Sequence, residues 1–447
     1  MRFFYFLLHV TLKYSLRIYY PKQVFINKPK GYFNRTIYVS NHAASFMDPL
    51  IVGSLQRPSV FFMTRSDVFT KVTRPLLWSI QMLPIYRQHD GEDTKTKNEE
   101  TFQKATQILS SGRNLLIFGE GFTDDTFIRR LKPIKKGAVR MGFEALVKNK
   151  WEKKIYIATI GINYGDPNVI GSDLLVSNGN PICLNDYKEN YLNNESKTTH
   201  ELTLLIEKDL QSQLTHVENL KWVFFHEHVS RLLRDGLHPG DSDRSIPLIQ
   251  RWQNSKRLAK WMNEQDLDEN QDLIQLKTDL ENYFKQLKKQ KVEEHHVFHL
   301  AENKKPVSFG KVFTAILGIP FSILGLIHCY VPYRLIKNFV EKSFKRRVFW
   351  SSVKMILGMF AIGILNIPLV MLLNHYVFKP CLSNYTDHTA LFAWIYYAVT
   401  PLFGLIAYKS FKLLKEIKDF QRIQKINYQP IVKERTRLIQ RIKAVYP

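Results

Sequence analysis

The sequence predicts an α/β domain built on a mixed, largely parallel sheet, followed by a helical appendage and C-terminal transmembrane helices. Three observations predict it. Short β-branched and aromatic runs alternate with helix-length segments from Arg35 to about Ile162. Composition then turns charged and helix-favouring from about Thr198 to Lys305. Beyond that lie three apolar stretches, each of about 20 residues, the length needed to cross the hydrocarbon core of a bilayer.

The elements follow in chain order. The first twenty residues, "MRFFYFLLHVTLKYSLRIYY", have the positive start and apolar body of a secretory signal. They lack its small-residue cleavage site, and Lys13 and Arg17 interrupt the run. An uncleaved membrane-associating helix over 1–22 is expected, with Phe4, Leu7, Leu8, Leu12 and Ile18 among its apolar anchors; a buried core helix is the alternative. An α/β domain over 23–197 comes next, with "RTIYVS", "SVFFMT", "NLLIFG" and "KIYIATIGI" as strands and a helix over Glu99 to Ser110. In such a domain the working residues belong in loops at strand ends. The charged segment 198–305, typified by "DLIQLKTDLENYFKQLKKQK", repeats its apolar residues at helical spacing.

Membrane segments are expected within 306–410: Val312 to Val331, Met355 to Leu373 and Thr389 to Tyr408. Lysines and arginines orient them. The linker "RLIKNFVEKSFKRR" is strongly basic, and the tail from Lys409 carries 11 Lys and Arg against 3 Asp and Glu. "NHYVFKPCLSNYTDH" holds only Lys379 as a cation. The last two segments should therefore form a hairpin whose loop faces away from the cytoplasm, leaving the basic tail 411–447 and the α/β domain on the cytoplasmic face. The first segment has basic flanks on both sides and contains Gly318-Ile319-Pro320. It is either a broken segment that dips in and returns or a plain span.

The formal charge of +24 calls for a polyanionic partner. Nucleic acid would not require long apolar spans, so the partner expected is membrane lipid and not nucleic acid. Three well-separated cysteines, Cys183, Cys329 and Cys381, form neither a disulfide framework nor a metal-ligand pattern. His226 and His228 are two apart, and His295, His296 and His299 lie in charged helical sequence, so no metal site is expected.

The chemistry concentrates in "SNHAASFMDPL", residues 40–50. "RTIYVSN" ends as a strand, and Asp48-Pro49 reads as a helix start. His42 then sits in a six-residue loop that can fold back to bring Asp48 to the imidazole, the arrangement a general base needs. An ordinary helix cap with a polar loop histidine is the competing reading. Further along, Arg87 follows the apolar run in "LPIYRQHD", Glu120 and Gly121 end the strand of "NLLIFGEG", and "RRLKPIKKGA" supplies Arg129, Arg130, Lys132, Lys135, Lys136 and Gly137. The arginines and lysines among them are anion-binding side chains in positions after strand ends.

Taken together, "NHAASFMDP", "LPIYR", "IFGEG" and "ATIGINY" resemble, in order, the four motif blocks of the glycerolipid acyltransferases, which esterify glycerol 3-phosphate, its monoacyl form and related lysolipids. The resemblance covers roughly residues 30–170. It implies a mixed-sheet α/β domain in which His42 is the base, Asp48 its orienting partner, Arg87 a contact to the acceptor phosphate, and Glu120 with Gly121 part of the acceptor site. It also implies an acyl-CoA or acyl carrier protein thioester as co-substrate, with no further cofactor. Five residues separate His42 from Asp48, as in the branch that also carries a stretch like "LKPIKKG". Gly119 stands at a usual proline, and Phe122-Thr123-Asp124 replaces the usual threonine-arginine-serine. Arg130 or Lys132 is then the expected substitute for the missing phosphate-binding arginine. A catalytically silent membrane scaffold or lipid-binding protein on the same fold is the rival reading.

Overall fold

The structure is a computed structural model. It describes every residue except 1–2, 32–33, 56–58, 72, 87–93, 306, 382–387 and 447, together with the side chains of all described residues except 3–4, 65 and 94–98. The chain divides into two compact units, 1–230 with 234–267 and 231–233 with 268–447.

The first unit holds an eight-stranded sheet. Its strands are β1 (Gln23–Ile26), β2 (Thr36–Ser40), β3 (Val60–Arg65), β4 (Met82–Ile85), β5 (Asn114–Phe118), β6 (Tyr156–Tyr164), β7 (Leu174–Asn178) and β8 (Ile182–Cys183), in the order β1-β7-β6-β2-β5-β3-β4, with β8 also on β6. Pairing is parallel from β6 through β2, β5 and β3 to β4, and again between β1 and β7. It is antiparallel where β6 meets β7 and β8. The sheet is thus mixed and largely parallel. β2 is buried along its whole length, as a central parallel strand covered on both faces must be.

Helices of this unit are α1 (Phe3–Tyr19), α2 (Met47–Leu55), α3 (Thr73–Ser79), α4 (Thr94–Ser110), α5 (Gly137–Lys148), α6 (Lys188–Asn193), α7 (Glu195–Ser212), α8 (Val223–Leu233, whose last three residues fall in the second unit) and α9 (Leu248–Asn263). The main core joins Ile37, Val39, Leu115 and Ile157 of the strands to Leu109 of α4 and Val139, Phe143 and Leu146 of α5. Leu202, Ile206 and Leu210 of α7 belong to the same core. The segment expected as a helical appendage therefore gives its first helix to the sheet domain, because its apolar stripe covers one face of the sheet.

α1 is divided between two environments. Tyr5, Leu12, Leu16 and Tyr19 are buried, and His9 Nδ1 lies 2.9 Å from the Gly53 carbonyl of α2, whereas Phe6, Leu7, Val10 and Tyr14 remain exposed. Of the anchors read from the sequence, Leu12 turns inward and Leu7 outward; Leu8 and Ile18 are half-buried, and the Phe4 side chain lies outside the described residues.

The second unit is helical: α10 (Gln271–Gln290), α11 (Glu294–Ala301), α12 (Phe309–Leu317), α13 (Ile319–Ser343), α14 (Trp350–Leu373), α15 (Lys379–Cys381), α16 (Thr389–Gln424) and α17 (Gln429–Val445). Among the described residues, three helical stretches, 319–343, 347–381 and 389–424, are long and apolar enough to cross a membrane. The first apolar segment breaks at Gly318, with Pro320 in the first turn of α13. α13 and α16 approach so closely that a Cβ on Gly325 would stand 2.2 Å from the Phe403 carbonyl oxygen. His328 is buried between α14 and α16, 2.5 Å from Asn366 Oδ1 and 2.8 Å from the Tyr396 hydroxyl, so the ring has a partner on each side.

Candidate active site

β2 ends at Ser40 and α2 begins at Met47, leaving a six-residue loop between them. Asn41 pins the loop to β6: its Oδ1 accepts the Ile162 N–H at 2.8 Å and its Nδ2 donates to the Ile162 carbonyl at 3.1 Å. Ser45 takes a left-handed φ of 52°, which turns the chain back. Met47 and Asp48 donate their N–H groups to the Ala44 and Ser45 carbonyls. The fold-back brings His42 Nδ1 within 2.9 Å of Asp48 Oδ2.

Asp48 is fully buried and faces three donors. Oδ2 accepts from His42 Nδ1 and from the Ala44 N–H, both at 2.9 Å, and Oδ1 accepts the Tyr164 hydroxyl at 2.6 Å. The aspartate thus bonds back into its own loop and across to β6, more than a simple helix cap would do. Burial and the Asp48 charge push the Tyr164 phenol well above its ordinary range, so it stays a neutral donor.

With Nδ1–H given to the carboxylate, Nε2 keeps its lone pair. The His42 side chain is 21% exposed, and among the described residues Nε2 makes no hydrogen bond. Its ring stacks on Phe118, centroids 4.2 Å apart and planes 18° apart, which fixes the imidazole plane.

Glu120 locks the backbone beneath this pair. It is 2% exposed; Oε1 accepts the His42 N–H at 2.6 Å and Oε2 the Lys132 N–H at 3.3 Å. Burial raises its carboxyl above the usual range, opposed by the His42 N–H and the Lys132 charge. Gly119 donates its N–H to the Ser40 carbonyl at 3.1 Å, a bond that proline at this position would lose. Gly121 adopts φ 77°, where a side chain would be strained and a Cβ would come within 2.8 Å of Lys135 Nζ.

The predicted cations separate. Lys132 Nζ lies 3.6 Å from Glu120 Oε2 and donates to Asp124 Oδ2 and the Phe122 carbonyl, both at 3.0 Å. Arg129 turns inward: its guanidinium bonds the Tyr164 and Gly165 carbonyls and Glu227. Arg130 is half-buried, with Nε unbonded, and no bond links it to His42, Asp48 or Glu120. Arg87 lies outside the described residues. His42, Asp48, Glu120, Gly121 and Lys132 are therefore brought together. Sequence reasoning missed Tyr164, Asn41 and Phe118, although Tyr164 closes the quoted block "ATIGINY" and Phe118 opens "FGEG".

Residues 27–163 match the family model described as Acyltransferase. No curated protein matches the chain. Among solved structures, one match is the crystal structure of the 1-acyl-sn-glycerophosphate acyltransferase PlsC from Thermotoga maritima, at 14% identity and a TM-score of 0.29, covering 44% of this chain and 79% of that one. A likeness at that score settles neither fold nor substrate.

Proposed function

We propose, from the match of residues 27–163 to the family model described as Acyltransferase, that the chain moves a fatty acyl group from an acyl thioester, acyl-CoA or acyl carrier protein, to the hydroxyl of 1-acylglycerol 3-phosphate or glycerol 3-phosphate. The observation that carries the reading is the His42–Asp48 bond of 2.9 Å in a loop that leaves Nε2 unbonded on a partly exposed ring. An alcohol is a poor nucleophile near neutral pH, so a positioned base must take its proton. Nε2 takes that proton as the acceptor oxygen attacks the thioester carbonyl carbon. The C–S bond then breaks, and the imidazolium returns the proton to the departing thiolate. Buried Asp48 stabilises the imidazolium formed between these events.

Glu120 and Gly121 act in this scheme by positioning the His42 loop and the turn beside it. Lys132, with Arg130 and Arg87, is proposed to hold the acceptor phosphate, and holding it brings the hydroxyl to His42. Three helices of spanning length and a basic tail support an integral membrane protein with its catalytic domain on the cytoplasmic face, where donor and lipid acceptor meet.

The test supplies purified membranes with a labelled acyl thioester and each acceptor in turn, for wild type and His42→Ala. Labelled product from wild type, with a loss of about 100-fold or more in the variant, is expected. No product from either would favour the silent scaffold instead, and equal activity in both would show that His42 is not the base.

A further inference from the structure

His295 and His296, read from the sequence as part of a charged helix, meet a carboxylate 121 and 120 residues further along the same unit. The start of α11 is anchored by Glu294, which is fully buried and accepts from the Tyr283 hydroxyl at 2.5 Å and from Arg435 Nε at 2.6 Å. That anchor ties α11 to α10 and α17 and presents the next two residues to α16. His295 Nε2 lies 2.7 Å, and His296 Nε2 2.9 Å, from one and the same oxygen, Glu416 Oε1. The two rings sit 4.1 Å apart between centroids.

As a hydrogen-bond cluster this arrangement is unbalanced. His296 is 1% exposed, yet among the described residues its Nδ1 makes no hydrogen bond, and its Nε2 meets Glu416 at 2.9 Å as an ion pair outside good hydrogen-bond geometry. A buried polar group left so is costly and calls for an explanation. Two imidazole nitrogens and a carboxylate oxygen converging within 4.8 Å are the donor set of a transition-metal site.

We propose that His295, His296 and Glu416 bind a divalent ion of the zinc class that clips α11 to α16. The nitrogen ligands favour zinc and its neighbours over magnesium or calcium, which take oxygen shells. Ligand atoms each about 2.0–2.1 Å from a tetrahedral ion stand about 3.3 Å from one another. The present 2.7 and 2.9 Å therefore need to open by only about 0.5 Å, within the reach of small side-chain rotations. Three protein ligands leave a fourth position for water. Glu416 lies eight residues past Tyr408, where the apolar part of α16 ends, so it stands about 12 Å further along the helix, in its polar and charged portion.

The proposal is independent of the acyl-transfer reading. Tag-free protein in detergent is stripped with a chelator and dialysed against Co²⁺ or Zn²⁺, and bound metal is quantified. One ion per chain is expected, with visible absorption from low-coordinate Co²⁺. Glu416→Gln and His296→Ala should each weaken uptake by about 100-fold or more, with the far-UV dichroism unchanged. Absence of stoichiometric uptake by the wild type overturns the proposal whatever the variants do. Undiminished uptake by a folded His295→Ala/His296→Ala double variant overturns it as well, because the ion then sits elsewhere.

Discussion

Asp48→Asn separates charge from geometry at the proposed catalytic pair. The three donors on Asp48 arrive unevenly: His42 Nδ1–H and the Ala44 N–H share Oδ2, and only the Tyr164 hydroxyl reaches Oδ1. An asparagine can meet all three if its oxygen occupies the Oδ2 position. Its NH₂ then faces Tyr164, whose hydroxyl can turn and accept. The reverse orientation would set an N–H against two donors. The Ala44 N–H therefore holds the amide in the orientation that preserves the His42 tautomer, and the variant should fold and keep its loop. What it loses is the attraction between carboxylate and imidazolium. For charges about 4 Å apart at an effective dielectric of about 20 this is about 4 kcal/mol, or roughly a thousandfold in rate. In a steady-state acyl-transfer assay kcat should fall by about 10²–10³ while KM for donor and acceptor stays within about threefold. Tyr164→Phe, which keeps the charge and removes one bond to it, should cost about 1.5–3 kcal/mol and act mainly through mobility of the pair. If Asp48→Asn retains kcat within about threefold of wild type, the carboxylate charge does not stabilise an imidazolium in the transition state and the electrostatic role assigned to Asp48 is wrong.

Stability of the first unit should depend on acid. Burial holds His226 at about 4, and burial with the Arg130 charge holds His216 at about 4, both below the ordinary 6.5. The unfolded chain then binds more protons below that ordinary value, so stability is complete above about pH 6.5 and falls toward pH 4 by roughly 3 kcal/mol per group; a melting temperature flat over this window would refute it. Gly325→Ala must push α13 off the Phe403 carbonyl and should lower stability in detergent by about 1–3 kcal/mol, and an unchanged melting curve would show that the close approach is not needed. Lys132→Met should raise KM for the phosphorylated acceptor more than it lowers kcat, whereas a change in kcat alone would confine Lys132 to supporting Glu120.

Local chemistry was legible in the sequence where the structure depends on near neighbours. The strands at 36–40, 60–65, 114–118 and 156–164 announce themselves by β-branched and aromatic runs, and the His42 loop by the Asp48-Pro49 start of α2. Tyr164 was not legible, because its role depends on a partner 116 residues away. The same holds for the cations. Arg129 and Lys132 look alike as solvated charges in "RRLKPIKKG", but the first meets carbonyls from the end of β6 and a carboxylate from α8, and the second meets Glu120 and Asp124. β1 and β7, short and paired across about 150 residues, carry no local signal strong enough to separate them from loop. The His295–His296–Glu416 cluster escapes for that reason too, since the ligands share no spacing that a motif could describe.

What organises the candidate site is the register of three central strands. β2 pairs in parallel with β5 and β6, setting Ser40 beside both Phe118 and Ile160. The carboxyl ends of the three strands therefore open on one edge, where loops of an α/β sheet present their chemistry. From that edge β2 contributes the loop that carries His42, β5 the stacking ring of Phe118 and the Glu120 carboxylate, and β6 the Ile162 amide and the Tyr164 hydroxyl. A slip of one residue in β5 would exchange the faces of Ile117 and Phe118, taking the ring from the imidazole and Glu120 from the His42 N–H together. The pairing of His42 with Asp48 is local and could form in many loops. Its orientation is not local: it is held by groups that only this strand order brings within reach, so the site is a property of the sheet before it is a property of the motif.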